Sequence, residues 1–175
     1  MASQSPFVAD PTPLEPRLRR PFSTLALWLL VCFAAASLGA MFPPDAFYEA
    51  LDKPFFQPPD WLFGPAWTVL YALMATAMWL VATKLSSPRR ERTRARSAFL
   101  LQLGLNALWT PLFFGAHEVG LALLLILVLN VVVIITIRRF YRVDRNAARL
   151  MLPYLAWIGF ATALNASLWW LNRGV

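Results

Sequence analysis

The sequence predicts an all-α integral membrane bundle of five transmembrane helices, and three observations carry that prediction. Of 175 residues, 59% are hydrophobic and only 14% charged, whereas a soluble domain usually carries about 25% charged residues. The apolar residues gather into five runs, each close to the roughly 20 residues that carry a helix across a hydrocarbon core about 30 Å thick. The 16 basic residues lie at the ends of those runs, in the connections between them and in the terminal segments, never in the interior of a run.

Residues 1–21 are polar and Pro-rich and end in the basic cluster Arg17, Arg19 and Arg20, the pattern of a disordered tail. Span one covers about 22–42. Its Ala34–Ala36 run after a basic start resembles a signal-peptide cleavage region, but the apolar stretch exceeds the about 7–15 residues of a signal core, so an uncleaved helix is expected. Residues 43–61 form the longest connection. Asp45 is placed to cap one short helical turn through Leu51, and Pro54, Pro58 and Pro59 then exclude regular helix.

Span two covers about 62–85, with Pro65 tolerated in its first turn. A basic loop follows, and span three covers about 98–115, where Pro111 should kink or end the helix. His117 and Glu118 make a tight turn, and the lone His117 reads as a solvated side chain. Span four, about 119–137, is Leu, Val and Ile throughout and shows no polar face, so it should border lipid broadly. A second basic loop, RRFYRVDRNAAR, leads to span five, about 150–171.

Charge orients the five spans. The tail, the second connection and the fourth connection hold 3, 6 and 5 basic residues, 14 of the 16, and share one side; Lys53 and Arg173 lie on the other. The positive-inside rule then puts the N-terminus in the cytoplasm, with the first loop and the C-terminus on the opposite side. The formal charge of +7 is accounted for by this placement, which argues against nucleic-acid binding. The single cysteine, Cys32, sits inside an apolar run, so no Cys-based metal site is available and none is expected.

Catalytic machinery is sparse. No charged side chain occupies the centre of a span, and neither a Gly-rich phosphate loop nor a paired-His metal motif is present. The informative residues are polar and aromatic groups inside apolar helices. Trp67 and Tyr71 are one turn apart. Gln102, Asn106 and Trp109 line one stripe of span three; Tyr154, Trp157, Ala161 and Asn165 line one face of span five. Amides in hydrocarbon need partners, so these stripes should face the bundle interior. Two readings stay open. Gln102, Asn130 and Asn165 suit interhelical hydrogen bonding, and Trp79, Trp169 and Trp170, near span ends, suit the interfacial belt. Trp67, Trp109 and Trp157 lie deeper and suit a flat apolar ligand with a few polar groups. Small residues (Ala35 and Gly39 in span one, Gly159 and Ala163 in span five) allow close helix contact within one bundle or between copies.

Three ordered segments, KPFFQPPDWLFGPAWTVLYALM (53–74), QLGLNALWTPLFF (102–114) and PYLAWIGFATALN (153–165), resemble the TspO/translocator protein family, the tryptophan-rich sensory proteins also called peripheral-type benzodiazepine receptors. The resemblance covers about residues 24–172. It implies a five-helix bundle, often a homodimer, whose pocket opens under the first loop as a lid. It implies binding of porphyrins such as protoporphyrin IX and of benzodiazepine-type and isoquinoline-carboxamide ligands, with no resident cofactor; animal relatives also bind cholesterol. Carried over by position, the pocket tryptophans correspond to Trp67 and Trp157, the lid to Pro58, Pro59 and Trp61, the span-three pair to Asn106 and Trp109, and the span-two tyrosine to Tyr71. Tyr154 and Asn165 complete the expected ligand-binding set from the face they share with Trp157. Two positions depart from the pattern. The lid's first aromatic pair is Phe55–Phe56 without tryptophan, which keeps the rings and loses an indole donor. Span five ends LNASLWWLNR with no tyrosine, which argues against sterol binding through that segment.

The function that the resemblance implies is a membrane sensor or carrier for porphyrins. The alternative is light-dependent oxidative breakdown of the bound porphyrin with Trp67 and Trp157 as electron donors. A third reading uses the basic loops as a docking surface, against the simpler account of topology and attraction to anionic lipid.

Overall fold

The computed structural model describes residues 22–173; the tail at 1–21 lies outside the described residues. The elements are α1 (Phe22–Ala40), α2 (Ala46–Ala50), a 3-10 turn (Asp60–Leu62) running into α3 (Phe63–Ala82), α4 (Arg89–Thr110) continued by a π-helical turn (Pro111–Gly115), α5 (Val119–Val143), α6 (Arg145–Leu150) and α7 (Leu152–Leu171). Five helical stretches, built on α1, α3, α4, α5 and α7, are long and apolar enough to cross a membrane, and no strand occurs among the described residues. The all-α bundle is as the sequence predicts.

The helices form a ring. α1 packs on α3 and α4, α4 on α5, and α5 on α7; α3 leans on α6 at the basic end and approaches α7 only lightly. The α3–α7 seam is therefore sparsely packed, and aromatic rings bridge it.

Two stretches expected as basic loops are largely helix. α4 starts at Arg89, directly after Pro88, because Arg and Glu favour helix and proline suits a helix start. Arg92 Nη1 donates to the carbonyls of Lys84 and Ser87, each at 3.0 Å, and closes the α3–α4 connection. α5 likewise runs on to Val143 and stops where Asp144 turns extended at φ −151°. The Asp144 carboxylate accepts from the backbone N–H groups of Asn146 at 2.9 Å and Ala147 at 3.2 Å, capping α6, and from Lys84 Nζ at 3.3 Å. Span four is broadly exposed, as expected, except along one stripe. Its buried residues, Ala122, Ile126, Leu129, Val133, Thr136, Phe140 and Val143, alternate spacings of four and three and make one stripe toward α4 and α7. Leu, Val and Ile on both flanks hide that stripe from a sequence reading.

Pro111 ends the regular α-helix, as expected: α4 stops at Thr110 and the chain continues as a π-helical turn. Lacking an N–H, it interrupts the regular ladder, and the backbone widens: the N–H of Ala116 reaches Pro111 O at 2.9 Å. Gly39 packs within the bundle, since a Cβ there would meet Thr110 Oγ1 at 3.2 Å, whereas Gly159 has nothing within 4 Å and faces outward.

Replacing Asp144 by alanine removes a helix cap and the anchor of Lys84, and should cost about 1–2 kcal/mol, read as a lower midpoint of heat unfolding in detergent. The backbone and Lys84 bonds outweigh the burial of Asp144 and hold its carboxyl below the ordinary 3.8. A lowered carboxylate stabilises the fold above its unfolded value, so this contribution is intact above about pH 4 and fades as pH falls through the lowered value. The wild-type midpoint should drop there more than that of the alanine variant.

Candidate functional site

The site begins with α3 and α7, whose aromatic residues meet across the loose seam. Trp67 and Trp157 face each other edge-on with centroids 6.4 Å apart. Trp67 also packs on Tyr71 at 5.4 Å, one turn on, and on Tyr154 at 6.2 Å. Phe63, at the start of α3, packs edge-on to Trp157 at 5.9 Å. The spacing of these residues on their helices explains the convergence: 63, 67 and 71 lie on one face of α3, and 154 and 157 on one face of α7.

Polar groups lace the cluster. Tyr71 Oη donates to Asn106 Oδ1 on α4 at 2.6 Å, a short bond in a buried setting. The Tyr154 hydroxyl, fully buried beside the same Asn106 amide, lies outside hydrogen-bond geometry and has no partner. A buried hydroxyl without a partner is costly. Gln102, also fully buried, has its carbonyl oxygen unpartnered and only Met74 Sδ at 3.8 Å for its amide nitrogen. Tyr71→Phe should therefore destabilise by about 1 kcal/mol, whereas Tyr154→Phe should be neutral or slightly stabilising in the unliganded protein; unfolding midpoints of the two variants, measured side by side, check this.

The seven ligand-binding positions from the sequence do not form one group. Trp67, Tyr71, Tyr154, Trp157 and Asn106 come together. Trp109 and Asn165 pair with each other: Trp109 Nε1 donates to Asn165 Oδ1 at 3.2 Å, and Asn165 Nδ2 donates to Val119 O at 3.0 Å. They sit with Phe113, stacked on Trp109 at 4.9 Å, in an adjoining cluster that reaches Tyr48 and Leu51 of the first loop. This is the hydrogen-bonding role that the sequence left open for Asn165. Asn130 has it too, donating to Thr162 Oγ1 at 2.9 Å across α5 and α7.

The loop covers the seam differently from the expected lid. Trp61 is 72% exposed, and Pro59 is exposed beside it. Phe56, packed on Phe160 at 6.2 Å, and Phe63 provide the covering rings instead. Two fasteners hold the loop down. Asp52 and Asn172 exchange hydrogen bonds, N–H to Oδ1 at 2.9 Å and Nδ2 to O at 3.1 Å. His117 is exposed, as expected, and also lies 2.8 Å from Asp45 Oδ2 and stacks on Phe47 at 4.3 Å, with φ at 58°. The bond from His117 holds the Asp45 carboxyl below its usual value, helped by the N–H of Tyr48 that Asp45 caps. Neither fastener is visible in local sequence, because each joins residues far apart in the chain.

Surface concavities of about 540 Å³, between Lys53–Phe56 and the Ala166–Leu171 end of α7, and about 740 Å³, at the basic end, flank the bundle. Neither lies at Trp67 and Trp157, whose rings pack on one another.

The TspO/MBR family model matches residues 28–171, which span every site residue above. The chain belongs to the TspO/MBR family. It is similar to Protein CrtK of Rhodobacter capsulatus, 37% identical over 85% of this chain and 92% of the relative. It is similar to the tryptophan-rich protein TspO of Archaeoglobus fulgidus, 40% identical over 82% of this chain and 94% of the relative. It is also similar to the translocator protein of Homo sapiens, 39% identical over 73% of this chain and 75% of the relative. As a TspO/MBR protein with five membrane-crossing helices, it is a multi-pass membrane protein. The aromatic seam between α3 and α7 is thus a feature of a TspO/MBR chain whose family match covers nearly the whole bundle.

Proposed function

We propose that this protein binds protoporphyrin IX or a related tetrapyrrole as a membrane sensor or carrier, between Trp67 and Trp157 beneath the first loop. One observation carries the reading: two indoles from a sparsely packed helix pair converge beside a buried, unpartnered hydroxyl. Flat π-faces suit indole stacking, and Tyr154 Oη offers a polar contact. Because the rings touch in the unliganded state, binding parts Trp67 from Trp157 and spreads α3 from α7 under the loop. A relative of Cereibacter sphaeroides, 39% identical, is named a tryptophan-rich sensory protein, and that name supports a sensing role here.

The test is a titration of the detergent-purified protein with protoporphyrin IX, followed by quenching of tryptophan fluorescence. The reading requires saturable quenching that Trp67→Phe/Trp157→Phe weakens; saturable binding unchanged in that variant overturns it. A second reading, light-dependent oxidative breakdown with dissolved dioxygen as the oxidant, is favoured by the ring series Trp157–Trp67–Tyr71, with successive centroids at 6.4 and 5.4 Å, which can donate electrons. Illuminating the same complexes distinguishes it: a defined product from wild type alone supports breakdown, and bleaching at the rate seen in buffer excludes it. We also place the basic end in the cytoplasm. Thiol labelling of Arg94→Cys from the outside of intact cells, which this orientation forbids, would reverse it.

A further inference from the structure

The concavity at the basic end is built by three elements. Its wall carries Lys84 after α3, Arg142 at the end of α5, and Arg145 and Arg149 on α6, around a volume of about 740 Å³. The one carboxylate in it, Asp144, already accepts two backbone N–H groups and the Lys84 ammonium. Four cations against one committed carboxylate leave a strong excess of positive charge in a hollow. Charges that serve topology alone need not converge in this way, and Arg90, Arg94 and Arg96, spread along the start of α4, do not line the hollow.

A second observation bears on what fills it. On the outer face of α5, Leu127, Val131 and Ile134 are exposed and follow helical spacing to Tyr141, which is exposed at the hollow with the Arg145 guanidinium 5.4 Å from its ring centroid. An apolar track thus runs down the outer face of α5 to the exposed Arg138, one turn before Tyr141 and the cationic pocket. That is the shape of an amphipathic anion, with a tail along the helix and a phosphate among guanidinium groups.

We propose that this hollow is a binding site for the phosphate of an anionic phospholipid headgroup. The guanidinium groups of Arg142, Arg145 and Arg149 supply fork-like donors to phosphate oxygens, Lys84 adds charge at the base, and the acyl chains lie along Leu127, Val131 and Ile134. Bound lipid would tie α5 and α6 to the end of α3.

The test is native mass spectrometry of the purified protein in neutral detergent, titrated separately with phosphatidylglycerol and phosphatidylcholine. The expected result is a saturable one-to-one phosphatidylglycerol adduct, at least about tenfold tighter than that of phosphatidylcholine. It should weaken about 30-fold in Arg142→Gln/Arg145→Gln/Arg149→Gln and less than about threefold in Arg90→Gln/Arg94→Gln/Arg96→Gln. Both variants lose the same charge, so equal weakening in the two overturns the site and leaves only general attraction. Far-ultraviolet circular dichroism and the unfolding midpoint confirm that each variant is folded. Should the groove variant fail to fold, Arg145→Gln alone carries the comparison against Arg94→Gln, on the same criterion. Inorganic phosphate is the competing arm: displacement of the lipid at millimolar phosphate assigns the hollow to free phosphate, and failure to displace assigns it to the lipid.

Discussion

Replacing both Trp67 and Trp157 by alanine is expected to weaken protoporphyrin IX binding by about 100-fold, the equivalent of about 3 kcal/mol for two stacking rings lost from one site. The effect should be larger than for Trp67→Phe/Trp157→Phe, which keeps two smaller rings, and that ordering separates stacking from a general loosening of the fold. Trp109→Phe is the informative control. Its indole N–H is committed to Asn165 and its ring to Phe113, so protoporphyrin affinity should stay within about threefold while stability falls. If Trp109→Phe costs as much affinity as the seam variant, the ligand lies in the adjoining cluster and not between α3 and α7.

Asn165→Leu is expected to lower stability by about 2–3 kcal/mol. The side chain is buried and joins three helices, accepting from Trp109 on α4 and donating to Val119 O on α5. Leucine fills similar space but leaves the Trp109 N–H without a partner in a region that water does not reach. An interhelical hydrogen bond in a membrane contributes about 0.6 kcal/mol on average, so most of the loss comes from the stranded donor. The double variant Trp109→Phe/Asn165→Leu should then recover part of that loss, since no donor is stranded. Unfolding midpoints in detergent decide it. Losses that simply add, with no recovery, would show that the pair contributes through packing alone.

What the sequence made legible follows from the solvent. A bilayer demands long apolar runs and internally satisfied backbones, so the five crossings stand out in composition, as does the Asp45 cap of the short turn at α2. Trp67 and Tyr71 one turn apart, and Tyr154 and Trp157 on one face, follow from helical periodicity. Which faces meet does not. Asn106 turns to Tyr71 while Trp109, one turn further along α4, turns to Asn165; only the arrangement of α3 and α7 about α4 separates these partners. The buried stripe of α5 was unreadable because its lipid-facing residues are equally apolar. The charged run at 89–96 reads as loop by composition, yet arginine and glutamate are good helix formers and α4 starts at Arg89. The His117–Asp45 and Asn172–Asp52 contacts join distant parts of the chain and leave no local trace.

Fluorine NMR of protein labelled with 5-fluorotryptophan reads whether Trp67 and Trp157 flank added protoporphyrin IX. Resonances are assigned by single Trp→Phe variants, and protoporphyrin IX is then added in detergent. The porphyrin ring current should move the Trp67 and Trp157 signals furthest, with Trp28 and Trp79 nearly unmoved. Shifts confined to Trp61, Trp169 or Trp170, with Trp67 and Trp157 stationary, would put the porphyrin on the outer surface and exclude the α3–α7 seam.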